Sequence, residues 1–225
     1  MRKSLIDILF EDESVIVIDK PAGLLTIATD RERDRTAYAE LRDRANRKRP
    51  AGKVFIVHRL DREASGLLVF AKTIEAKERL QDQFKDHSAG RTYVAVVAGT
   101  VRPERFTIQT YLTENAALRV YSARNSAAGK LAITHVQVVR RAAKATVLEI
   151  RLETGRKHQI RVHLAERGHP IVGDKVYGSG SNPIRRMALH GARLEFRHPR
   201  TLQMLRFDSP VPKSFLSILK GISTT

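Results

Sequence analysis

Two short stretches concentrate the polar side chains that catalysis commonly uses. The first, RLDR, spans residues 59–62 and places the carboxylate of Asp61 between two arginines. The second, TGRKHQIR, spans residues 154–161 and ends in Arg161. Each stretch lies at the end of a predicted strand, where sites are often built. A guanidinium such as that of Arg161, brought close, would hold the Asp61 carboxylate in its ionised form. A purely structural ion pair explains the same residues equally well.

Other kinds of catalytic or metal site are disfavoured by residue spacing. His158 and His163 are five residues apart. That spacing is about 140° around a helix and reaches opposite faces of a strand, so one element cannot bring both rings to one metal ion. The chain also lacks HExxH and the glycine-rich phosphate-binding motifs. Ser65 lacks the GxSxG turn of many hydrolases. We therefore expect no metal and no cofactor.

The charge of the chain favours a polyanionic partner. The formal net charge is +17 and the pI is about 10.7. Cations are concentrated beyond the first 50 residues, and the segment from Asn115 to Leu148 holds six of them and no acid. Lysine and arginine set against phosphates gain affinity by releasing counterions, so nucleic acid is the expected partner. A solubilising surface without a partner is the alternative, although solubilising charge is usually mixed in sign.

Composition also limits where such a protein works. The 225 residues include no cysteine, which suits a reducing compartment and excludes a disulfide framework. The apolar stretch near the N-terminus is too short for a signal peptide, and no apolar run is long enough to cross a membrane. We expect a cytoplasmic protein without a membrane partner, and a monomer by default.

The pattern of apolar residues predicts an α+β fold in one domain. Alternation such as that of Leu148, Ile150 and Leu152 with charged neighbours is typical of antiparallel sheets with one buried face. Two loops are predicted, at residues 27–35 and 178–186. Predicted helices span residues 36–48, 74–87 and 158–168, and predicted strands span residues 14–19, 66–72, 92–99, 105–112, 117–123, 131–139, 146–155, 188–196 and 204–211.

Five blocks of the sequence resemble one enzyme family. HRLDREASGLLVFAKT, from His58 to Thr73, is similar to the signature of the RluA family of pseudouridine synthases. The other four blocks follow in the family's order and spacing across roughly residues 8–212: EDESVIVIDKPAGLLT, RTYVAVVAG, TGRKHQIRVHLAERGHPIVGDKVYG and ALHGARLEFRHP. The resemblance implies the pseudouridine synthase fold, a mixed and largely antiparallel sheet in two halves flanked by helices, with a central basic cleft.

The resemblance also implies roles for individual residues. It makes Asp61 the catalytic aspartate, Arg161 its partner and Tyr93 the aromatic that packs on a flipped-out uridine. Arg59 is implied to help hold the RNA around that nucleotide. The neighbouring His58 and Lys157 are further candidates for binding RNA or substrate. The expected partner is ribosomal or transfer RNA.

Two departures from the family pattern flank the implied site. Ala64 and Lys157 each stand where the family usually has threonine, which puts local geometry or substrate fit in question. The chain also starts almost directly with the catalytic block, so we expect no separate N-terminal RNA-binding module. A non-catalytic RNA-binding or ribosome-assembly protein on the same scaffold, and a metal-dependent nuclease, are the rival functions.

Overall fold

The computed structural model describes residues 4–29, 32, 34–48, 52–178, 180 and 182–221. The chain divides into two compact units. The first comprises Met1–Gly90 and Gly191–Ser209, and the second comprises Arg91–His190 and Pro210–Thr225. The predicted single catalytic domain would span both units and stays a prediction.

Strands and helices are distributed over both units. In chain order they are β1 (Asp7–Glu11), β2 (Val15–Lys20), α1 (Ala37–Lys48), β3 (Phe55–Ile56), β4 (Ser65–Ala71), α2 (Ile74–Lys85), β5 (Gly90–Ala98), β6 (Arg105–Glu114), β7 (Val120–Ser122), β8 (Lys130–Ala142), β9 (Ala145–Leu152), α3 (Gln159–Glu166), β10 (Leu189–Arg197), β11 (Met204–Asp208) and α4 (Lys213–Gly221).

The first unit is built on strands β1, β2, β4 and β10 in that order, with β3 beside β4 and β11 beside β10. Strands β2 and β4 are antiparallel and are buried almost throughout. Burial on both faces explains why their sequences are continuous apolar runs instead of alternating ones. Helix α2 begins after Thr73, whose side chain accepts a hydrogen bond from the amide of Ala76. Its Ala76 and Leu80 join the core of this unit.

The second unit is an antiparallel sheet in the order β5, β9, β8, β6 and β7. Strand β8 shows the alternation of a sheet with one buried face, since Ala132, Thr134 and Val136 are buried while the residues between them are more accessible. Helix α3 contributes Val162 to a small core with Leu112 of β6. The described elements thus place Arg161 of α3 on a helix that packs on this sheet.

The observed elements confirm the predicted α+β class. Each predicted helix and strand is found, although β7 is limited to Val120–Ser122. Three of the observed elements were missed, β1, β3 and α4. Parts of the two predicted loops, residues 30, 31, 33, 179 and 181, lie outside the described residues. Among the described helices, none is long and apolar enough to span a bilayer.

Gly66 marks a close approach between two backbones in the first unit. Its φ is +117°, and a Cβ at this position would lie 2.3 Å from the carbonyl oxygen of Gly191 in β10. Both the positive φ and the lack of room for a Cβ therefore require glycine at this position. The glycine that follows Ser65 in the sequence signature serves packing at the start of β4.

We predict that Gly66→Ala lowers the free energy of unfolding by roughly 3 kcal/mol, because backbone strain and steric overlap add. Gly168→Ala is the control, since Gly168 has φ of +80° but no atom lies within 4 Å of an added Cβ. Only strain remains there, with a loss of about 1 kcal/mol. Urea unfolding compares the two variants, and equal losses would contradict the steric explanation.

Candidate active site

Asp61 lies in a turn that a preceding segment of the same unit holds on both sides. The hydroxyl of Thr26 donates a 2.9 Å hydrogen bond to the carbonyl oxygen of Leu60 and accepts one of 3.2 Å from the amide of Leu60. On the other side, the amide of Gly23 donates to the carbonyl of Arg62 at 2.7 Å. The backbone on either side of Asp61 is therefore fixed to residues 20–26.

Lys20 provides the strongest part of this attachment. Its side chain is fully buried, at 0% exposure. The Nζ atom lies 2.7 Å from the carbonyl oxygen of Ala64 and 3.3 Å from that of Arg62. It also lies 2.8 Å from the carbonyl of Leu24 and 2.9 Å from that of Pro21. Its N–H donors thus join the turn that follows β2 to the turn that carries Asp61.

The departure at Ala64 falls on this attachment. Ala64 is 1% exposed, and its carbonyl oxygen receives the shortest of the Lys20 hydrogen bonds. A threonine hydroxyl at this buried position would need a partner of its own. The attachment acts through the backbone, so it is made with alanine as well.

His58 and Arg59 differ in their surroundings. The ring of His58 stacks on Phe84, with centroids 4.5 Å apart, and its Nε2 accepts from the amide of Val69 at 3.2 Å. This ring continues the pairing of β3 with β4, so it supports the chain just before the turn. Arg59 is exposed, and among the described residues its guanidinium makes no ion pair. Their RNA-binding roles stay predictions.

In the second unit, Gln159 anchors the segment that leads into α3. Its Oε1 accepts from the hydroxyl of Thr154 at 2.8 Å and from the amide of Arg156 at 3.0 Å. Its Nε2 donates to the carbonyl of Ile133 and to the hydroxyl of Thr134 in β8. Gln159 is 2% exposed, so these bonds are shielded from water. The start of α3 is therefore fixed to the sheet.

Arg161 is held by Asp174 in a buried bidentate ion pair. Nε of Arg161 lies 2.7 Å from Oδ2 of Asp174, and Nη2 lies 2.9 Å from Oδ1. The side chains are 3% and 0% exposed. Burial alone would raise the pKa of Asp174. The hydrogen bonds and charge of Arg161, with the amides of Val176 and Tyr177, outweigh it and leave that pKa below its ordinary value. The pair is therefore ionised at neutral pH.

Tyr93 and Lys157 are the other predicted site residues of the second unit. Tyr93 lies on β5 opposite Ile150 of β9 and is 7% exposed. Lys157 forms an ion pair with Glu114 at the end of β6, and its Nζ lies 3.3 Å from the carbonyl oxygen of Leu118. The lysine that replaces the family's threonine thus ties the start of α3 to the turn between β6 and β7.

Each unit holds three of the six predicted site residues. The first unit carries His58, Arg59 and Asp61, and the second carries Tyr93, Lys157 and Arg161. The pairing of Arg161 with Asp61 stays a prediction. Lys20, Gln159 and Asp174 were not predicted as site residues. Asp174 lies within the quoted block that ends in VGDKVYG, but the sequence of that block does not indicate that the acid is buried or that it faces an arginine.

His163 lies two residues beyond Arg161 on α3 and belongs to a buried hydrogen-bond network. Its Nε2 is 2.9 Å from the hydroxyl of Thr110, and its Nδ1 is 2.9 Å from that of Thr134. Burial lowers the pKa of His163 to about 4, against a smaller opposing effect of Glu166. The ring is therefore neutral at neutral pH and bonds β6 and β8 to α3. Within the described part of the chain, no group of three histidine or acidic side chains is placed to hold a metal ion.

A family model and individual relatives identify the same family for this chain. The RNA pseudouridylate synthase family matches residues 14–166. Ribosomal large subunit pseudouridine synthase D of Neisseria meningitidis is 37% identical over 226 residues, which cover 95% of this chain and 60% of that protein. The protein of the same name from Pseudomonas aeruginosa is 37% identical over 228 residues, covering 95% of this chain and 71% of that protein.

Solved structures agree on the fold. Human RNA Pseudouridylate Synthase Domain Containing 4 superposes with a TM-score of 0.79 at 22% identity, covering 96% of this chain and 92% of that chain. Human RNA Pseudouridylate Synthase Domain Containing 1 gives a TM-score of 0.75 at 22% identity, covering 100% and 98%. The chain belongs to the RNA pseudouridylate synthase family, which confirms the resemblance drawn from its motifs.

We predict that Lys20→Met lowers the free energy of unfolding by roughly 3 kcal/mol, because it leaves buried carbonyls without donors. The control is Lys72→Met. Lys72 pairs with Glu11 and is 27% exposed, so its loss should cost about 1 kcal/mol. Chemical denaturation measures both variants. Equal losses would show that the buried amine of Lys20 contributes no more than a partly exposed ion pair.

The low pKa of His163 predicts a specific dependence of stability on pH. Between pH 6.5 and about 4 the unfolded chain binds a proton at His163 that the folded chain does not. The contribution of neutral His163 is therefore complete above pH 6.5. It falls by about 1.4 kcal/mol per unit as pH decreases towards 4.

His163→Gln should flatten the stability profile in this window relative to wild type. Gln137→Asn, at an exposed residue of β8 that carries no titratable group, should leave the slope unchanged. Urea unfolding at half-unit pH intervals measures both. Parallel profiles for wild type and His163→Gln would contradict the assignment.

Proposed function

We propose that this protein isomerises specific uridines of structured RNA to pseudouridine, with Asp61 as the catalytic group. The observation that carries the proposal is the fixed turn around Asp61. The carbonyls of Leu60, Arg62 and Ala64 are all bonded to residues 20–26. A carboxylate on such a turn is pre-organised for reaction. Family membership supplies the reaction class.

The chemistry suits a single carboxylate. The reaction breaks the bond from the ribose anomeric carbon to N1 of uracil, rotates the base and bonds C5 to that carbon. It gains and loses no atoms. The proton on C5 is released, and N1 acquires one. Uracil can leave with its charge spread over two carbonyls, so no second carboxyl group is needed to protonate it. Asp61 either attacks the anomeric carbon or removes a proton from the adjacent ribose carbon.

Arg161 is proposed to keep the Asp61 carboxylate ionised and aimed. Both routes require an ionised aspartate, and a positive charge nearby favours that form. The bidentate pairing with Asp174 supports this role, because it fixes the guanidinium through Nε and Nη2. An arginine fixed in this way loses little conformational entropy on reaction.

The remaining predicted residues are proposed to receive the RNA. A uridine in folded RNA must be extruded to reach an enzyme's carboxylate, and an aromatic ring is a suitable surface for the flipped base. We assign that surface to Tyr93. Exposed Arg59 is proposed to contact the backbone around the nucleotide, and His58 and Lys157 are proposed to lie beside it. No cofactor or metal enters the reaction as proposed.

The two bacterial relatives described above are named ribosomal large subunit pseudouridine synthases. Large-subunit ribosomal RNA is therefore the first substrate to test, before transfer RNA. The net charge of +17 fits either RNA. Monomeric state and cytoplasmic location complete the proposal. Mapping pseudouridine in cellular RNA with and without this protein identifies the target.

Asp61→Asn tests the proposal directly. Wild-type protein should convert uridine in unmodified ribosomal RNA. The variant should bind the same RNA with affinity within about twofold, yet form pseudouridine at least a thousandfold more slowly. Base-resolution pseudouridine mapping and filter binding measure the two effects.

Asp43→Asn is the matched control, because it removes the same charge from an exposed side chain on α1. It should keep full activity. A chelator should change neither the rate nor the length of the RNA, whereas a metal-dependent nuclease would lose activity and would shorten it. Undiminished isomerisation by Asp61→Asn would refute the role of Asp61. RNA binding by wild type without pseudouridine in any ribosomal or transfer RNA would favour the non-catalytic rival.

A further inference from the structure

Tyr177 lies next to Arg161 and has contacts that simple space filling does not require. The Cζ atom of Arg161 lies 5.2 Å from the centroid of the Tyr177 ring. The Cζ atom of Arg119, just before β7, lies 5.4 Å from the same centroid. Both distances are within the range of cation–π attraction. One aromatic ring thus interacts with two guanidinium groups.

Tyr177 is also held at its two polar ends. Its backbone amide donates to Oδ1 of Asp174 at 3.1 Å, so the residue is bonded to the same carboxylate that binds Arg161. Its hydroxyl oxygen accepts from the amide of Val120 at 3.0 Å and lies 3.0 Å from Nδ1 of His158. Since the Val120 amide donates to that oxygen, the hydroxyl proton is available to His158. The contacts of the hydroxyl with Val120 and His158 therefore hold the ring without involving Arg161.

Asp174 and Tyr177 constrain the guanidinium of Arg161 in different directions. The carboxylate bonds two nitrogens along one edge of the group, while the central carbon of the group lies over the Tyr177 ring, 5.2 Å from its centroid. The two hydrogen bonds by themselves allow rotation of the guanidinium about the line that joins them, and attraction between its charge and the ring opposes that rotation. We propose that Tyr177 is a positioning residue for isomerisation, whose ring sets the plane in which Arg161 presents its charge.

Tyr177 also connects Arg161 to the turn between β6 and β7, which carries Arg119. Val120 begins β7, and Arg119 precedes it. Lys157 makes a second connection from the start of α3, through Glu114 and the carbonyl of Leu118. A change in this turn would therefore reach Arg161 through Tyr177. The inference rests on the proposed function, in which Arg161 serves Asp61.

If the Tyr177 ring only fills space, its substitution by another ring should have a different effect. Tyr177 packs against the small core of Leu112, Ala132 and Val162. Any ring of equal size would fill that space, whatever the charge distribution over its face. Cation–π attraction depends on the negative face of the ring, which fluorine substitution removes at nearly constant size. Fluorination thus separates the two roles without a cavity.

The test replaces Tyr177 with phenylalanine and then with pentafluorophenylalanine in the full-length chain. Relative to phenylalanine, the fluorinated ring should lower kcat by about tenfold and leave KM within about twofold, since it weakens an interaction that positions a catalytic group. Melting temperatures of the two variants should agree. The same comparison in an Arg119→Gln background should give the same ratio if the effect passes through Arg161.

A readout that needs no activity accompanies the kinetics. Hydrogen exchange of the Arg161 Nε–H, followed by NMR and assigned with Arg161→Lys, should be faster in the fluorinated protein than in the phenylalanine variant. Equal kcat and equal exchange in the two variants would overturn the proposal. Loss of the kcat ratio in the Arg119→Gln background would also overturn it, because the ring would then act through Arg119. If wild type forms no pseudouridine, the proposed function fails, and the exchange rates still decide whether Tyr177 constrains Arg161.

Discussion

A buried amine bonded to four backbone carbonyls is the interaction on which the geometry of the first unit depends. Lys20 joins the turn after β2 to the turn that carries Asp61. Full burial of a charged side chain is costly unless its donors are satisfied, so the arrangement is stable only with the carbonyls in place. Each turn thereby requires the other. The turn that carries Asp61 is held through its backbone carbonyls, including that of Ala64.

In the second unit, Arg161 is also held in place by neighbouring groups. A guanidinium is rigid and planar, so two bonds to Asp174 fix its edge, and its central carbon lies over the ring of Tyr177. Gln159 and His163 fix α3 to β8 through neutral hydrogen bonds that burial protects. In both units buried polar side chains fix the segment that carries the predicted site residue, with Lys20 in the first unit and Gln159 and Asp174 in the second.

Much of the fold could be predicted because apolar patterns carry it. The buried strands β2 and β4 and the amphipathic helix α2 follow from local sequence. Strand β1 was missed because it is a short edge strand with acids at both ends, and α4 because it is a single short helix near the C-terminus. The candidate site was predicted where motifs are dense, at Asp61 and Arg161. Lys20 and Asp174 were not, since a lysine before proline or an aspartate after glycine looks like a solvated turn residue.

The first unit is discontinuous in sequence, because residues 1–90 are completed by residues 191–209. Gly66 of β4 lies against Gly191 of β10, and this contact joins segments that are made far apart in time on the ribosome. The unit that carries Asp61 cannot finish folding until residues 91–190, the larger part of the second unit, have been synthesised. Contacts so distant in sequence form slowly. During synthesis, most of the basic second unit is therefore made before the unit with the reactive carboxylate can be completed.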